Sequence, residues 1–409
     1  MGEFLSHPRR KIEHMYDGKG ARRPDLNGVT GYSHSGGVQS SIRKNVTDRG
    51  IDFKTIRGAL AGAVAEETSE ALVCMGDSLE LIRRIPDQSV SLIVTDPPYH
   101  STKKSNIQND TAFQEDSEFL EWLEQYTVEW KRILKRSGTL YLFCSAQMSA
   151  RLEVMMAKYL RPINHVTWTK PNEPGYDGWK GKMKKESLRS WYPHSERILV
   201  FEHGGYGTWE AYRRSPMGEY LLECRKRAGI SMIQLTEDIG EYGKINRGGA
   251  VANWEAGRNI PSREQYRKLV DALTAYGITD MIDYNDLIRP MIVSKDVEFT
   301  DVWNFMSVRP FKDKHPAEKP QDMLMHIIQA SSYPGDIVLD CFAGSGSTGV
   351  AALRLGRRTV CIELEERWVK RAAKEISDAR LDADYQPPKR THHAKGRAGE
   401  ALPVDGLFD

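Results

Sequence analysis

The sequence predicts an α/β fold, a doubly wound and mainly parallel sheet that is interrupted by a small all-α domain. Short apolar strands alternate with helical segments before residue 205 and again after residue 336. This alternation is typical of parallel sheets whose two faces are covered by helices. Between the two halves, residues 215–276 have a helical periodicity of their own, with Ser and Gly at helix ends. We therefore expect one domain to be inserted into another.

In the first half, the predicted strands are Leu72–Met75, Leu92–Val94, Thr139–Phe143, His165–Trp168 and Ile198–Phe201, and the predicted helices are Leu79–Ile85, Ser117–Leu134 and Ser145–Lys158. In the second half, helix Gln321–Ser331 precedes strand Ile337–Leu339, helix Thr348–Leu355 and strand Thr359–Ile362. In sheets of this kind, ligands bind beyond the carboxyl ends of the strands.

Composition narrows the functional class. The chain has 409 residues, which is room for two or three domains, and its net charge of +2 means that any nucleic-acid footprint must be local. Its five cysteines contain no Cys-x-x-Cys pair, which favours buried thiols in a reducing cytoplasm over disulfides or a metal site. No signal peptide or apolar run of membrane-spanning length is evident.

The first strand-end motif is Asp96-Pro97-Pro98-Tyr99, which follows an apolar strand directly. Asp96 and the Pro97 carbonyl are adjacent hydrogen-bond acceptors, the two prolines restrict the backbone, and Tyr99 supplies a ring that can stack on a planar base. An exocyclic amino group would donate its two hydrogens to these acceptors. A rigid turn that closes the strand is the alternative interpretation.

The second strand-end motif, residues 340–348, reads Asp-Cys-Phe-Ala-Gly-Ser-Gly-Ser-Thr and enters a helix. Gly344 and Gly346 let the backbone pass close to a ligand. The motif lacks both the Gly-x-Gly-x-x-Gly spacing of dinucleotide sites and the Gly-Lys-Ser/Thr of a P-loop. About 20 residues later a strand ends at Glu363, where an acid suits a ribose diol.

Together these two motifs resemble those of the amino-methylating DNA methyltransferases, which transfer a methyl group from S-adenosylmethionine to N6 of adenine or N4 of cytosine. The catalytic motif precedes the methyl-donor loop, an order that resembles the beta class. The resemblance implies a Rossmann-like methyltransferase sheet and S-adenosylmethionine as cofactor. Asp at the first motif position favours adenine, because the cytosine enzymes more often have Ser there.

The same resemblance implies a donor site. His315-Pro-Ala-Glu-Lys319-Pro is similar to an element of the family that lies against the methyl donor, and Gly76-Asp77-Ser78 is similar to one that approaches its adenine ring. A helix cap is the alternative role for Asp77. The implied donor-binding residues are Asp77, His315, Lys319, Asp340, Phe342, Ala343, Gly344, Ser345, Gly346, Ser347, Thr348 and Glu363.

Residues 171–194 interleave basic and aromatic side chains, a composition that suits phosphate neutralisation and stacking on displaced bases. We predict DNA contacts there from Lys180, Lys182, Lys184, Lys185 and Arg189. A solvated lid is the alternative.

The inserted segment has helical patterns at 220–230, 232–239, 250–258 and 263–275. The third pattern contains Trp254-Glu-x-Gly, and Pro261-Ser262 precedes the fourth. It resembles the helix-turn-helix domain of phage-repressor-like regulators, although the stretch from Glu241 to Gly249 is longer than their tight turn. The resemblance implies that this domain helps to recognise the target sequence. The predicted contacts with phosphates or base edges are Lys244, Asn246, Arg247 and Asn253. A bundle used for dimerisation is the alternative.

The predicted domains are a basic, partly disordered arm at 1–66, the methyltransferase domain at 67–208 and 290–380, the helix-turn-helix insertion at 209–289 and a disordered tail at 381–409. The expected function is site-specific methylation of N6 of an adenine flipped out of double-stranded DNA, in the cytoplasm and at the nucleoid of a bacterium or phage host. A cytosine-N4 enzyme, an RNA or free-base methyltransferase and a non-catalytic DNA-binding regulator are the alternatives. A homodimer and a companion restriction endonuclease are left open as partners.

Overall fold

The protein is described from a computed structural model, which covers residues 53–99, 113, 115–170, 184, 186, 189, 191, 194–204, 214–241, 249–291, 293, 300–309 and 314–381. Within those ranges the strands are β1 (Val64–Glu67), β2 (Ala71–Met75), β3 (Val90–Thr95), β4 (Leu134–Cys144), β5 (Arg161–Trp168), β6 (Glu196–Glu202), β7 (Val302–Trp303), β8 (Ile337–Asp340) and β9 (Arg358–Glu363). The helices are α1 (Phe53–Leu60), α2 (Ser78–Ile82), α3 (Asp116–Ile133), α4 (Ser149–Met156), α5 (Pro216–Arg227), α6 (Met232–Asp238), α7 (Gly249–Glu255), α8 (Arg263–Ala275), α9 (Tyr284–Leu287), α10 (Gln321–Ser331), α11 (Ser347–Arg354) and α12 (Glu366–Leu381), and a 3₁₀ turn spans Ala61–Ala63.

The strands form one sheet in the order β1-β2-β9-β8-β3-β4-β6-β5-β7. Strands β2, β9, β8, β3 and β4 are parallel to one another, whereas β6 runs antiparallel to its neighbours β4 and β5. The doubly wound α/β sheet predicted from the sequence is therefore confirmed. Because β3 and β8 are adjacent, with Ile93 opposite Leu339, the two motifs that follow these strands emerge side by side.

The central strands are buried on both faces. All six residues of β3 and all four of β8 are buried, as expected for parallel strands between two helical layers. One face packs against α1 to α4, with Trp130 fully buried, and the other against α10 and α11. This two-sided burial gives the loops at the strand ends a rigid base.

The predicted boundary of the N-terminal arm is wrong in its last part. Helix α1 buries Phe53, Ile56 and Leu60 in the core of the sheet domain, and β1 extends the sheet as an edge strand. Residues 53–66 therefore belong to the methyltransferase domain. The remainder of the predicted arm and almost all of the predicted tail lie outside the described residues.

Helices α5 to α9 form a small bundle with its own core, in which Trp254 is fully buried. Arg225 makes two hydrogen bonds to Glu255, at 2.5 and 2.8 Å, inside this bundle. The four helical segments predicted from the sequence are thus present. Their use as a DNA-reading domain is a prediction that the fold does not decide.

Ion pairs dock the bundle onto the end of the sheet where β4 and β5 begin. Arg161, at the start of β5, contacts Glu202 of the sheet at 3.0 Å and Glu219 of the bundle at 2.5 Å. Arg136, near the start of β4, contacts Glu223 at 3.0 Å. The Asp96 motif follows the carboxyl end of β3, which is parallel to β4. The docking site and this motif therefore lie at opposite ends of the strands.

Among the described residues, no helix is both long enough and apolar enough to cross a membrane.

Candidate active site at the carboxyl ends of the strands

A cavity of about 380 Å³ opens where β2, β3, β8 and β9 end and where β6 begins. Its wall contains the whole Asp96-Pro97-Pro98-Tyr99 motif and most of the loop that follows β8. The parallel register explains this convergence, because neighbouring strands deliver their carboxyl ends to one edge. Thr95 and Asp340, 245 residues apart in the chain, are joined there by a hydrogen bond of 3.2 Å.

The two carboxylate oxygens of Asp96 have different environments. Oδ2 accepts a hydrogen bond from the ammonium group of Lys319, which forms a buried ion pair with it. Oδ1 is also buried but accepts no hydrogen bond from any described residue. Buried polar atoms are normally satisfied, so an unpaired carboxylate oxygen in a cavity wall is a place for a ligand donor.

Tyr99 stands next to this carboxylate in the cavity wall. Its hydroxyl donates a hydrogen bond of 3.3 Å to Oε2 of Glu196, at the start of β6. The Lys319 ammonium lies 5.6 Å from the centre of the Tyr99 ring and 5.0 Å from that of Phe143. The hydroxyl contact fixes the plane of a ring on which a flat base can stack.

Four charged side chains surround the motif: Asp96, Glu196, Lys319 and Lys170, which we call the charged cluster. Lys319 pairs with Asp96 and lies 3.8 Å from Glu196, and Lys170 pairs with Glu196. Burial raises the pKa of Asp96, and Lys319 only partly opposes this shift. Burial would also raise the pKa of Glu196, but the charges of Lys319 and Lys170 outweigh it and lower that pKa.

Asp340 anchors the loop after β8 from within the protein. Its Oδ1 accepts hydrogen bonds from the Thr95 hydroxyl at 3.2 Å and from the Phe342 backbone N–H at 3.1 Å. Burial raises the pKa of Asp340 to about 6. The carboxylate therefore ties the catalytic strand to the glycine loop in addition to lining the cavity.

The two glycines of this loop serve different purposes. Gly344 has φ +52°, and a Cβ there would lie 2.9 Å from the ring of His315, so the loop approaches this ring as only glycine can. Gly346 has φ +81°, and a Cβ there would lie 2.9 Å from the Cβ of Ala372. Gly346 was predicted to bind the donor, but it lies outside the cavity wall and allows close packing of the loop on α12.

Glu363, at the end of β9, holds the glycine loop from the other side. One carboxylate oxygen accepts the Gly344 N–H at 2.8 Å, and the other accepts the N–H groups of Leu364 and Glu365. The oxygen that accepts from Gly344 retains acceptor capacity, since a carboxylate oxygen has two lone pairs, whereas the other oxygen already accepts two hydrogen bonds. Burial raises the pKa of Glu363, and these backbone donors oppose that shift.

Aromatic rings form the adjoining wall. Phe342 contacts Trp122 and Tyr126, with ring centroids 5.8 and 5.3 Å apart, and all three line the cavity. An aromatic wall, a glycine-rich loop and an oriented carboxylate together fit a nucleoside whose base is planar and whose ribose carries a diol. The predicted donor site therefore has the chemistry of a nucleoside site.

The other predicted donor residues are placed as follows. Ala343, Ser345, Ser347 and Thr348 line the cavity. Asp77 does so as well, while its Oδ1 caps α2 by accepting the N–H groups of Leu79 and Glu80, so both of its proposed roles are compatible.

His315 and Lys319 also belong to the cavity wall. His315 packs edge-on against Trp368 at 4.5 Å, and burial lowers its pKa to about 4, so its ring is neutral at pH 7. Lys319 contacts the Asp96 carboxylate and so also belongs to the charged cluster, while its predicted part in donor binding stays a prediction.

The predicted DNA contacts are only partly visible. Lys184 and Arg189 are exposed, whereas Lys180, Lys182, Lys185, Lys244, Asn246 and Arg247 lie outside the described residues. Asn253 is half-buried on α7, and its side-chain oxygen accepts a hydrogen bond of 2.9 Å from Arg258.

Two members of the charged cluster, Glu196 and Lys170, are not among the site residues predicted from the sequence. Glu196 carries little signal, because a single acid at the start of an apolar strand is usually a solvated end. What distinguishes Lys170 is its backbone conformation, which the sequence does not reveal: its φ is +47°. Non-glycine residues with positive φ carry a conformational strain of about 1–3 kcal/mol and cluster at functional sites.

Comparison with known proteins agrees with this geometry. A family model described as DNA methylase, covering the N6 and N4 enzymes, matches residues 90–375, which is more than two thirds of the chain. The chain belongs to this DNA methylase family. Membership accounts for the pairing of the Asp96 motif with the loop after β8, and it makes the cavity the candidate active site of a DNA methylase.

Individual relatives share the family's catalytic core at low identity. The chain is 28% identical over 308 residues to the DNA adenine methyltransferase YhdJ of Escherichia coli, covering 74% of this chain and 82% of the relative. It is 23% identical over 338 residues to the type II methyltransferase M.HinfI of Haemophilus influenzae, covering 78% and 73%. Among solved structures, the cytosine-N4-specific PvuII DNA methyltransferase matches with a TM-score of 0.45 and 16% identity, covering 78% of this chain and 94% of that one.

Proposed function

We propose that this DNA methylase transfers a methyl group from S-adenosylmethionine to N6 of an adenine flipped out of duplex DNA. The observation that carries the proposal is the buried, unpaired Oδ1 of Asp96, which lies in the same cavity as the glycine loop and Glu363. An exocyclic amino group is the donor that this oxygen lacks. A base inside a duplex cannot reach a cavity of this kind, so the target must leave the stack.

The chain's residues orient the nucleophile. The amino group donates one hydrogen to Asp96 Oδ1 and the other to the Pro97 carbonyl, while the base stacks on Tyr99. Bound S-adenosylmethionine supplies an electrophilic methyl group on a sulfonium. The nitrogen–methyl bond would form as the sulfur–methyl bond breaks, and one amino proton would afterwards pass by way of Asp96 to solvent. During the transfer, positive charge would develop on the nitrogen beside the two acceptors. Acceptors placed in advance at that position stabilise the transition state electrostatically.

The donor site is assigned from the residues that fit a nucleoside. Glu363 is oriented by three backbone N–H groups and accepts the ribose hydroxyls, and Phe342, with its aromatic neighbours, packs on the donor's adenine ring. The Gly344 turn, with φ +52° and no side chain, would let the backbone pass close to the bound donor. Asp340 acts indirectly, because it holds this turn against β3.

Two features favour adenine over cytosine. The first motif residue is Asp96 and not Ser, and the relatives include a protein named as a DNA adenine methyltransferase. Cytosine-N4 methylation is the second candidate, since the acceptors would serve either amino group equally.

We propose that target recognition involves the basic loop with Lys180, Lys182, Lys184, Lys185 and Arg189, and the helical bundle with Lys244, Asn246, Arg247 and Asn253. The bundle docks near Arg136, eight residues before Cys144 at the cavity end of β4, which corresponds to about 25 Å of strand.

The type II methyltransferases among the relatives favour a companion restriction endonuclease. A homodimer and action on cytoplasmic DNA complete the proposal. Co-purification of a nuclease encoded beside the gene, and light scattering of the purified protein, would test the two partners.

The decisive experiment is single-molecule sequencing of plasmid DNA from a methylation-free host that expresses the chain. N6-methyladenine at one short motif is the expected result, and it identifies the recognition sequence at the same time. N4-methylcytosine would reassign the target base. Unmodified DNA, with S-adenosylmethionine binding intact by calorimetry, would contradict the proposed activity and favour a DNA-binding regulator.

A further inference from the structure

Glu196 is a half-buried carboxylate beside the Asp96-Pro97-Pro98-Tyr99 motif, and neither of the two motifs includes it. Its side chain is 16% exposed, it lines the cavity, and it contacts three members of the site: the hydroxyl of Tyr99, the ammonium of Lys319 and that of Lys170. We propose that Glu196 is a positioning residue for methyl transfer, which fixes Tyr99 and Lys319 beside Asp96 and balances the charge around the target amino group. This inference rests on the proposed function.

The first step of the argument concerns charge. Asp96 and Glu196 carry two negative charges and Lys319 and Lys170 two positive charges, so the charged cluster is neutral as a whole. The side chains of Asp96 and Lys319 are 14% and 9% exposed, so water screens the cluster poorly. Without Glu196 the cluster would carry a net charge of +1. That charge would oppose both a sulfonium donor and the positive charge that develops on the amino nitrogen.

The second step concerns position. Lys319 is shared between Asp96 and Glu196, and its ammonium lies 5.6 Å from the centre of the Tyr99 ring, on which the base is proposed to stack. Glu196, 3.8 Å from this ammonium, is the second carboxylate that holds Lys319 in this position. At the same time its hydrogen bond to the Tyr99 hydroxyl limits rotation of the ring.

The third step separates this role from that of a structural ion pair, because the same strand offers a matched control. Glu202, at the opposite end of β6, is also a half-buried carboxylate held by two cations, Arg161 and Arg289, each at 3.0 Å. It lies away from the cavity, beside the helical bundle. Glu196→Gln and Glu202→Gln therefore remove the same charge from the same strand, but only the first acts on the catalytic motif.

The test compares Glu196→Gln, Glu202→Gln and the wild-type protein in single-turnover methylation of duplex DNA as a function of pH. Gln keeps an oxygen that can accept from the Tyr99 hydroxyl, so the substitution isolates the charge. The groups that face Asp96 and influence its titration are Lys319, Glu196, Tyr99, Cys144 and Asp340. Among them, Glu196 raises the pKa of Asp96, so its neutralisation moves the acid limb of the rate profile to lower pH.

We expect Glu196→Gln to slow the single-turnover rate by about 10- to 100-fold, as one uncompensated charge close to the reacting atoms would. We also expect calorimetry to show weaker S-adenosylmethionine binding. With DNA that carries 2-aminopurine at the target position, the change in fluorescence that accompanies base flipping should be smaller than for the wild-type protein. Glu202→Gln should leave the rate, the acid limb and donor binding at wild-type values.

The inference is overturned if the single-turnover rate of Glu196→Gln stays within twofold of the wild-type rate. It is also overturned if the rate falls only in proportion to the fraction of folded protein, with the acid limb and the donor affinity unchanged. Failure of the proposed function looks different. In that case the wild-type protein itself leaves DNA unmethylated, whatever residue stands at position 196.

Discussion

The buried pair of Lys319 and Asp96 makes a measurable prediction about stability. Replacement of Lys319 by Met removes the ammonium group and leaves the Asp96 carboxylate, which is 14% exposed, without its ion partner. Loss of one partner from a buried pair costs about 3–5 kcal/mol. We expect the lower part of this range, about 3 kcal/mol, because the substitution also removes the cost of burying the Lys319 charge.

The dependence on pH gives this prediction its direction. Without Lys319 the pKa of Asp96 rises further above that of the unfolded chain, so the folded variant binds a proton more readily than the unfolded one. Its stability then decreases as pH rises through the folded pKa, by about 1.4 kcal/mol for each unit by which the two pKa values differ. The loss should be largest near pH 8 and smaller near pH 5.

Urea denaturation at these two pH values measures the effect. Lys158→Met is the matched control, because Lys158 is 57% exposed and pairs with Glu124 at the surface, where such pairs contribute less than about 1 kcal/mol. The double variant Lys319→Met/Asp96→Asn should recover most of the stability, since its buried side chains are neutral. A loss below about 1 kcal/mol for Lys319→Met, or strict additivity of the two changes, would refute the reasoning.

Four further predictions concern the cavity and target choice. Asp96→Ala should reduce methylation by at least about 10²–10³-fold while calorimetry still detects donor binding, and near-normal turnover would contradict the acceptor role. Gly344→Ala should weaken donor binding, because the φ of Gly344 is +52° and the new Cβ would lie 2.9 Å from His315. Gly58→Ala is the control, because Gly58 has open space around it and its replacement should leave donor binding unchanged. Equal donor affinities of the two variants would contradict this prediction. The pKa of His315 is lowered from 6.5 to about 4, so its contribution to the free energy of unfolding is complete above pH 6.5 and is lost as pH falls toward 4. His315→Gln should therefore flatten the dependence of the melting temperature on pH between these two values, as measured by thermal denaturation. Arg247→Ala should weaken or broaden target choice, and an unchanged methylated motif with unchanged DNA affinity would show that the bundle is not the reader.

The central fold could be predicted because the strong signals are local. Apolar runs such as Leu92–Val94 and Ile337–Leu339 are followed by proline or glycine turns, which mark both the strand and its functional end. The short edge strands Val64–Glu67 and Val302–Trp303 were not predicted. They have few residues, and half-exposed edge positions need no continuous apolar pattern.

The site could be predicted only as far as its motifs extend along the chain. Asp96 and the loop from Asp340 were identified because each motif is contiguous. The contacts of Lys319 with Asp96, 223 residues away, and of Tyr99 with Glu196, 97 residues away, depend on how the sheet is ordered. No spacing rule relates such positions, so the charged cluster could be assigned only from the three-dimensional arrangement.

The order of the strands also explains why an inserted bundle is compatible with catalysis. β6 runs antiparallel to β4, so it begins with Glu196 at the cavity and ends with Glu202 at the opposite edge, where the chain leaves for the bundle. The chain returns through Arg289, which pairs with Glu202 at 3.0 Å. Both described connections lie near the starts of β4 and β5, so no residue of the bundle that the structure describes belongs to the cavity wall. The sheet thus presents two separate ends, with the bundle docked where β4 and β5 begin and the cavity built where β2, β3, β8 and β9 end.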